Sequence, residues 1–246
     1  MANASQYEVY RATTKSGTYT LLGTTTATNY TDNKAGSGYT YYYKVKALAA
    51  NGAESDYSAV VAGICHCAKP TVKATYMGAS GKPYIKWNAV ANASQYEVYR
   101  ATTKNGTYTL LGTTTATHYT DNKAGSGYTY YYKVRAISKV KSTANSVFSV
   151  PVAGICHCAK PTVKITTSAG KPKLTWNAVA GASKYYIYRS TEANGTFEHL
   201  YSTKNLFYTN KSAVAGTTYY YKVKAVSKVK SSANSVFSTV VSIRVR

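Results

Sequence analysis

The sequence predicts an all-β protein built from tandem seven-stranded β-sandwiches, of which the first is truncated at its N-terminus. A long internal repeat, short strand-like runs between turn residues, and the composition all indicate this fold. The chain has 246 residues, 27 of them Tyr. Tyr, Val and Thr suit half-buried strands, where aromatic and β-branched side chains pack well. Because a sandwich of this kind needs only about 100 residues, the chain has room for two or three.

The internal repeat indicates three modules rather than two. Residues 91–100 have the same sequence as residues 2–11, an offset of 89, and the same offset separates Trp87 from Trp176. A period of this length is typical of whole domains in an array rather than of a solenoid. The predicted modules are residues 1–67, 68–158 and 159–246.

The second module divides into runs that alternate in polarity and end at turn residues, as strands do. The predicted strands are Thr71–Thr75, Tyr84–Trp87, Gln95–Tyr99, Tyr108–Gly112, His118–Thr120, Tyr128–Ala136 and Val147–Ala153. Side chains alternate between the two faces of a strand. In the longest run the set facing the core is therefore Tyr130, Tyr132, Val134 and Ala136, and the opposite set is Tyr131, Lys133 and Arg135.

Two motifs recur in both complete modules. The first has the form Trp-x-x-Val-x-x-x-x-x-Tyr-x-(Val/Ile)-Tyr-Arg and begins at Trp87 and Trp176; the second has the form Gly-x-x-Tyr-x-Tyr-Lys-Val-(Lys/Arg)-Ala and begins at Gly127 and Gly216. With these motifs the modules resemble the fibronectin type III repeats of bacterial extracellular and surface proteins. The resemblance implies that Trp87 and Trp176 lie on the second strand of their modules and face the core. It also implies that Tyr41, Tyr130 and Tyr219 are corner residues tying the sixth strand to the preceding turn. In that family such residues serve the fold.

The first module begins at the position equivalent to Val90. It lacks the two opening strands and the tryptophan, which predicts open strand edges and a half-open core. Met1 stands where the repeat has Val, so we expect Met1 to be an internal start within a longer chain.

The chain is strongly basic, with 30 Lys and Arg against 8 acidic residues and a formal charge of +22. A field of this size favours polyanionic partners. An anionic polysaccharide, a wall polymer or a host surface protein is expected rather than nucleic acid. The alternative is that the lysines only cover the solvent faces of strands. If the chain binds a polyanion, the candidates are Lys139, Lys141, Lys228 and Lys230 at two hairpin tips, with Tyr131 as a stacking platform.

All four cysteines occur in Cys-His-Cys triplets at the end of a last strand. These candidate metal or disulfide residues are Cys65, His66, Cys67, Cys156, His157 and Cys158. Three interpretations stay open: a metal site that needs one more ligand, a strained local disulfide, or free thiols that stiffen a joint between modules.

The eight acidic residues are scattered over three modules, whereas acid and base catalysis needs paired carboxylates in one cleft. The sequence therefore predicts neither an enzyme nor a cofactor. It contains no apolar run near the 18 residues that a membrane span requires. The leading prediction is a non-catalytic structural or adhesive spacer of an extracellular or cell-surface protein. The alternatives are a multivalent array that binds an anionic glycan or wall polymer, and a metal- or redox-responsive joint at Cys-His-Cys.

Overall fold

The computed structural model describes residues 4–246, so the expectation about Met1 lies outside the described residues. The described chain is all-β and every strand pairing is antiparallel. It contains no helix long and apolar enough to cross a membrane.

The first module is a single four-stranded sheet. Its strands are β1 (Ala4–Ala12), β2 (Thr20–Thr25), β3 (Thr40–Ala49) and β4 (Val61–Ile64), in the order β2-β1-β3-β4. The other sheet of a sandwich is absent from the described part of this module, as the repeat alignment predicts.

The second and third modules each have a three-stranded and a four-stranded sheet. The second has β5 (Val72–Tyr76), β6 (Pro83–Trp87), β7 (Ala93–Ala101), β8 (Thr109–Thr114), β9 (His118–Thr120), β10 (Thr129–Ser138) and β11 (Val152–Ile155). The third has β12 (Val163–Ser168), β13 (Lys171–Trp176), β14 (Ala182–Ser190), β15 (Glu198–Thr203), β16 (Phe207–Thr209), β17 (Thr218–Ser227) and β18 (Val241–Arg244). The sheet orders are β5-β6-β9 with β11-β10-β7-β8, and β12-β13-β16 with β15-β14-β17-β18. The prediction of tandem seven-stranded sandwiches is confirmed.

The core of each complete module lies between its two sheets. In the second module Tyr132, Val134 and Ala136 are fully buried, so the predicted alternation along β10 is confirmed. Trp87 packs in the same core and meets Tyr96 edge-on, with 5.3 Å between the ring centroids. Trp176 holds the equivalent position in the third module.

The inner face of the first module is only partly covered. Tyr43 and Val45 are half-buried, although their equivalents Tyr132 and Val134 in the second module have no exposed surface. The two modules have nearly the same sequence here, so the difference comes from the three-stranded sheet that only the second module has.

One strand prediction was wrong: the last strand of the second module is Val152–Ile155, not Val147–Ala153. The preceding segment pairs with β10 through serines three residues apart. Ser146 makes two hydrogen bonds with Ala136, and Ser149 makes two with Val134. In each pair the serine backbone N–H donates to the partner's carbonyl, and the serine hydroxyl accepts from the partner's backbone N–H. A spacing of three cannot match the two-residue period of a strand, so hydroxyl groups replace the regular ladder.

Candidate functional site

The two Cys-His-Cys triplets lie at the joints between successive modules. The first cysteine of each extends the ladder beyond the last strand of its own module. The Gly127 N–H donates to the Cys156 carbonyl at 2.7 Å and the Cys156 N–H donates to the Tyr128 carbonyl at 3.0 Å. The same two bonds occur at the first joint, where the Gly38 N–H donates to the Cys65 carbonyl and the Cys65 N–H donates to the Tyr39 carbonyl.

The two thiols of a triplet point into different modules. The Cys65 thiol lies 3.3 Å from the Ala35 carbonyl oxygen of the first module, and the Cys156 thiol lies 3.4 Å from that of Ala124 in the second. In contrast, Cys67 and Cys158 belong to the hydrophobic cores of the second and third modules. Side-chain packing therefore assigns each second cysteine to the module that follows, although the predicted boundary placed it last in the module before.

Backbone bonds hold the second cysteine in the following module. The Cys67 N–H donates to the Ala144 carbonyl at 2.9 Å, and the Cys158 N–H donates to the Ala233 carbonyl at 2.8 Å. Ala144 and Ala233 end the two short 3₁₀ turns, Ser142–Ala144 and Ser231–Ala233. The loop that follows the long strand of each module thus receives the end of the module before it.

The histidine of each triplet bonds the same loop, but the two histidines differ in burial. Nδ1 of His66 lies 3.1 Å from the Asn145 carbonyl oxygen, and Nδ1 of His157 lies 3.3 Å from that of Asn234. Only His157 also contacts the β5–β6 hairpin, where its ring stacks on Tyr76. Burial, with a smaller effect from Lys230, lowers the pKa of His157 below its ordinary value. The described part of the first module contains no such hairpin, and His66 is exposed.

A valine from the receiving loop packs on a glycine of the preceding module. Gly38 and Gly127 have φ angles of +95° and +94°, which favour glycine. A Cβ on Gly127 would lie 2.7 Å from Cβ of Val229, and one on Gly38 would lie 2.8 Å from Cβ of Val140. Glycine is therefore needed here for the backbone angle and also for the close approach of the next module.

The four candidate binding lysines lie beside these valines, two at each joint. Lys141 Nζ donates to Thr40 Oγ1 of the first module at 3.1 Å, and Lys230 Nζ donates to Thr129 Oγ1 of the second. Lys139 and Lys228 are exposed, and their backbone N–H groups donate to the Asn92 and Gly181 carbonyls within their own modules. The structure thus gives Lys141 and Lys230 a contact between modules that sequence spacing could not indicate.

The thiols of the two joints are mostly buried and unpaired. All four cysteines are free, and the described residues contain no group of three or more His, Cys, Asp or Glu that could hold a metal ion. Burial raises the pKa of Cys67, Cys156 and Cys158, which favours the neutral thiol over the thiolate that binds metals or attacks disulfides. The two thiols of a triplet contact different modules, which favours the interpretation as free thiols at a joint; the metal and local-disulfide interpretations stay predictions.

The structure reveals an ionic cluster that the sequence did not predict, which Arg11, Asp32 and Tyr43 form in the first module and which is more deeply buried in the second. Asp121 is fully buried and accepts bonds from the Arg100 guanidinium and the Tyr132 hydroxyl, each at 2.9 Å. Burial, together with the charge of Asp121, raises the pKa of Tyr132. In the third module Asn210 replaces the acid and its amide donates to the Tyr221 hydroxyl at 2.8 Å. Since a neutral side chain serves at the same place, the cluster is structural.

The predicted corner tyrosines bond the turn before the long strand. The hydroxyls of Tyr41, Tyr130 and Tyr219 accept from the backbone N–H groups of Gly36, Gly125 and Val214 at 3.0, 3.1 and 3.2 Å. Tyr131 is half-buried and belongs to the outward set of β10 with Lys133, whose Nζ lies 4.2 Å from the ring centroid of Tyr108. Nearby, the outward Glu97 pairs with Arg135 at 2.6 Å.

No protein-family model matches the chain. Among curated proteins it is 28% identical over 250 aligned residues to Exoglucanase B of Cellulomonas fimi, an alignment that covers 89% of this chain and 21% of that protein. It is 32% identical over 151 residues to a poly(3-hydroxybutyrate) depolymerase of Ralstonia pickettii, covering 61% of this chain and 28% of that protein. The chain thus spans less than a third of the length of either relative.

Solved structures with similarity to the chain contain fibronectin type III domains. A Fn3-like protein from Clostridium thermocellum is 28% identical and covers 35% of this chain and 90% of its own, with a TM-score of 0.30. A segment of two fibronectin type III domains from chicken tenascin is 12% identical and covers 71% of this chain and 98% of its own, with a TM-score of 0.45.

Proposed function

We propose that this chain, an array of fibronectin type III-like modules, is a non-catalytic spacer of a secreted protein that holds neighbouring domains at a fixed distance and rotation. The observation that carries the proposal is the repetition of one set of joint contacts at both module boundaries. At each joint the N–H of a cysteine donates to an alanine carbonyl of the next module, and a histidine ring bonds the carbonyl one residue further on. A valine of the next module also packs on a glycine with a positive φ angle. A flexible tether would need none of these contacts.

The curated relatives support a location outside the cell. By their printed names they are an exoglucanase and a polymer depolymerase, whose substrates are large polymers. The chain covers only 21% and 28% of those proteins, so the similarity does not require that it share their catalytic parts. A spacer in such an enzyme would separate the catalytic domain from other domains of the same protein.

The multivalent binding array receives less support at the predicted lysines. Lys141 and Lys230 donate to threonines of the preceding module, so these two side chains are held at the joints, although Lys141 stays exposed. The other two lysines, Lys139 and Lys228, lie on separate modules, and so few exposed cations at each tip are a weak site for a polyanion.

The fixed joint can be tested by measuring whether the second and third modules tumble together. We expect ¹⁵N relaxation of the intact chain to fit one anisotropic rotational diffusion tensor for both modules. The variant Gly127→Ala places a methyl group against Val229 and should give each module its own, faster correlation time.

Gly216→Ala is the matched control. Gly216 is the counterpart of Gly127 in the third module, its φ angle is +81°, and a Cβ there meets nothing within 4 Å. The Gly216→Ala variant therefore introduces the same kind of backbone strain without a contact at a joint between modules. Independent tumbling of the two modules in the unmodified chain would contradict the proposal.

A further inference from the structure

The outer face of the four-stranded sheet in the third module carries cations close to aromatic rings. Lys222 Nζ lies 4.2 Å from the ring centroid of Phe197 and 4.4 Å from that of Phe237, and Lys224 Nζ lies 5.1 Å from Phe237. Lys184 Nζ lies 5.0 Å from the ring of Tyr186. The cationic face is defined here as Lys184, Tyr186, Tyr188, Phe197, His199, Lys222, Lys224 and Phe237.

The same face of the other two modules carries acids beside its cations. In the first module Lys44 and Lys46 are accompanied by Glu8 and Glu54, and Lys46 pairs with Glu54. The second module has Lys133 and Arg135 with one acid, Glu97, which pairs with Arg135. The cationic face of the third module has three lysines and no acid, since Glu198 of β15 pairs with Arg189 and alternates to the other face of the sheet.

Five positions of this face differ between the second and third modules. Tyr108 becomes Phe197 and Arg135 becomes Lys224, which keep a ring and a cation, and three further replacements change the chemistry of the face. Gln95 becomes Lys184, Glu97 becomes Tyr186 and Leu110 becomes His199. The strand registers are the same, since Glu97 pairs with Arg135 as Tyr186 pairs with Lys224, and Tyr99 pairs with Leu110 as Tyr188 pairs with His199. The fold therefore accepts either set at these three positions, and it does not require Lys184.

The new residues form a connected surface rather than isolated substitutions. The His199 ring meets Tyr186 and Tyr188 edge-on, with ring centroids 5.2 and 5.4 Å apart, and Tyr188 meets Phe237 in the same way at 5.0 Å. His199 is exposed, and its Nε2 lies 3.0 Å from Ser202 Oγ. The three lysines lie on the two central strands, β14 and β17, and the aromatic rings connect them to His199 on the edge strand β15.

We propose that this cationic face binds an anionic polysaccharide whose carboxylates pair with Lys184, Lys222 and Lys224. Uncompensated ammonium groups on one face attract a polyanion, and aromatic rings offer apolar area on which the C–H faces of sugar rings can pack. All three cations are lysines, which act as point charges toward an anionic group. The proposal concerns a binding site on the third module and holds whether or not the joints are rigid.

The test uses isothermal titration calorimetry of the intact chain with polygalacturonate as the probe, at about 50 mM salt, where screening is weak. We expect binding to polygalacturonate and none to its fully methyl-esterified form, which has the same sugar backbone without the charge. The double variant Lys184→Gln/Tyr186→Glu restores the residues of the second module. It should weaken binding roughly tenfold, because it removes one cation and adds an acid that can pair with Lys224.

Lys164→Gln/Thr166→Glu is the matched control, since both positions are exposed on the opposite sheet and the change in net charge is the same. It should alter affinity by less than about twofold. The reciprocal variant Gln95→Lys/Glu97→Tyr should strengthen binding by giving the second module a similar face. The proposal is overturned if the control weakens binding as much as the face variant, if polygalacturonate does not bind, or if a single-stranded oligonucleotide of equal charge binds more tightly.

Discussion

The ring of His157 stacks on the ring of Tyr76, with centroids 3.8 Å apart and an interplanar angle of 27°. The two side chains come from different ends of the second module, and together they cover the joint to the third. The His157 N–H also donates to the Gly81 carbonyl at 2.7 Å, so the β5–β6 hairpin supports this joint through backbone and side chain. His66 has no such support in the described part of the first module.

This stack predicts that the second joint weakens in acid. Burial lowers the pKa of His157, and the nearby Lys230 acts in the same direction. A lowered pKa means that the separated or unfolded form takes up a proton first. The stabilising contribution is therefore present above the ordinary pKa of 6.5 and is lost as pH falls through the window below it.

We expect relaxation data for the second and third modules to fit one diffusion tensor at neutral pH and to separate near pH 5. His157→Phe keeps a ring over Tyr76 and has no proton to gain, so its joint should not change over this range. His66→Phe is the control at the other joint and should leave the pH response unchanged. A pH response that persists in His157→Phe would rule out this explanation.

From the cluster at Asp121 we expect that the hydrogen bonds of this side chain contribute more to the stability of the second module than its negative charge does. Asp121→Asn reproduces the amide of Asn210 and should destabilise the second module by about 1 kcal/mol, since most of the bonds survive. Asp121→Ala leaves Arg100 and the Tyr132 hydroxyl without their partner and should cost about 3 kcal/mol.

Urea unfolding followed by Trp87 fluorescence measures these losses, with Trp176→Phe in every variant so that only the second module reports. Lys123→Ala is a control, because its side chain is exposed and only its backbone N–H bonds Asp121. Equal losses for the Asn and Ala variants would show that the charge itself stabilises the module.

The sequence predicted the repeat, the two faces of β10 and the burial of the tryptophans, since these follow from a two-residue period and a fixed offset. It did not predict the Asp121 cluster, because Asp121 and its partners Arg100 and Tyr132 lie 21 and 11 residues apart and meet only through the sandwich. The division of each Cys-His-Cys triplet between two modules was also inaccessible, because a spacing of two residues carries no information about which core receives each side chain.

The burial of the thiols predicts selective reactivity. Cys65 is partly exposed, whereas Cys67, Cys156 and Cys158 are 4%, 0% and 0% exposed. Intact-mass analysis after brief alkylation of the native protein should therefore find one label, located at Cys65 by peptide mapping. After denaturation all four should react. Rapid native labelling of Cys156 or Cys158 would mean that the second joint opens readily.

The inner face of the first module is only partly covered. We therefore expect that the first module is less stable than the second because it lacks the covering sheet, and not because its four strands differ in sequence. Replacing Met1 with a copy of residues 68–90 supplies the two opening strands, including the counterparts of Ile85 and Trp87. These two side chains are almost fully buried in the second module, and a fully buried side chain of this size contributes about 2–3 kcal/mol. We expect the graft to raise the free energy of unfolding of the first module by at least about 3 kcal/mol and to slow hydrogen exchange along β1 and β3.

The matched control is the same graft with serine in place of the copied Ile85 and Trp87, which adds the backbone without the apolar side chains. It should leave exchange in β1 and β3 close to that of the original chain. If both grafts protect these strands equally, main-chain pairing rather than core burial limits the first module. Protection by the apolar graft alone would instead assign the difference in burial between Val45 and Val134 to the missing core side chains.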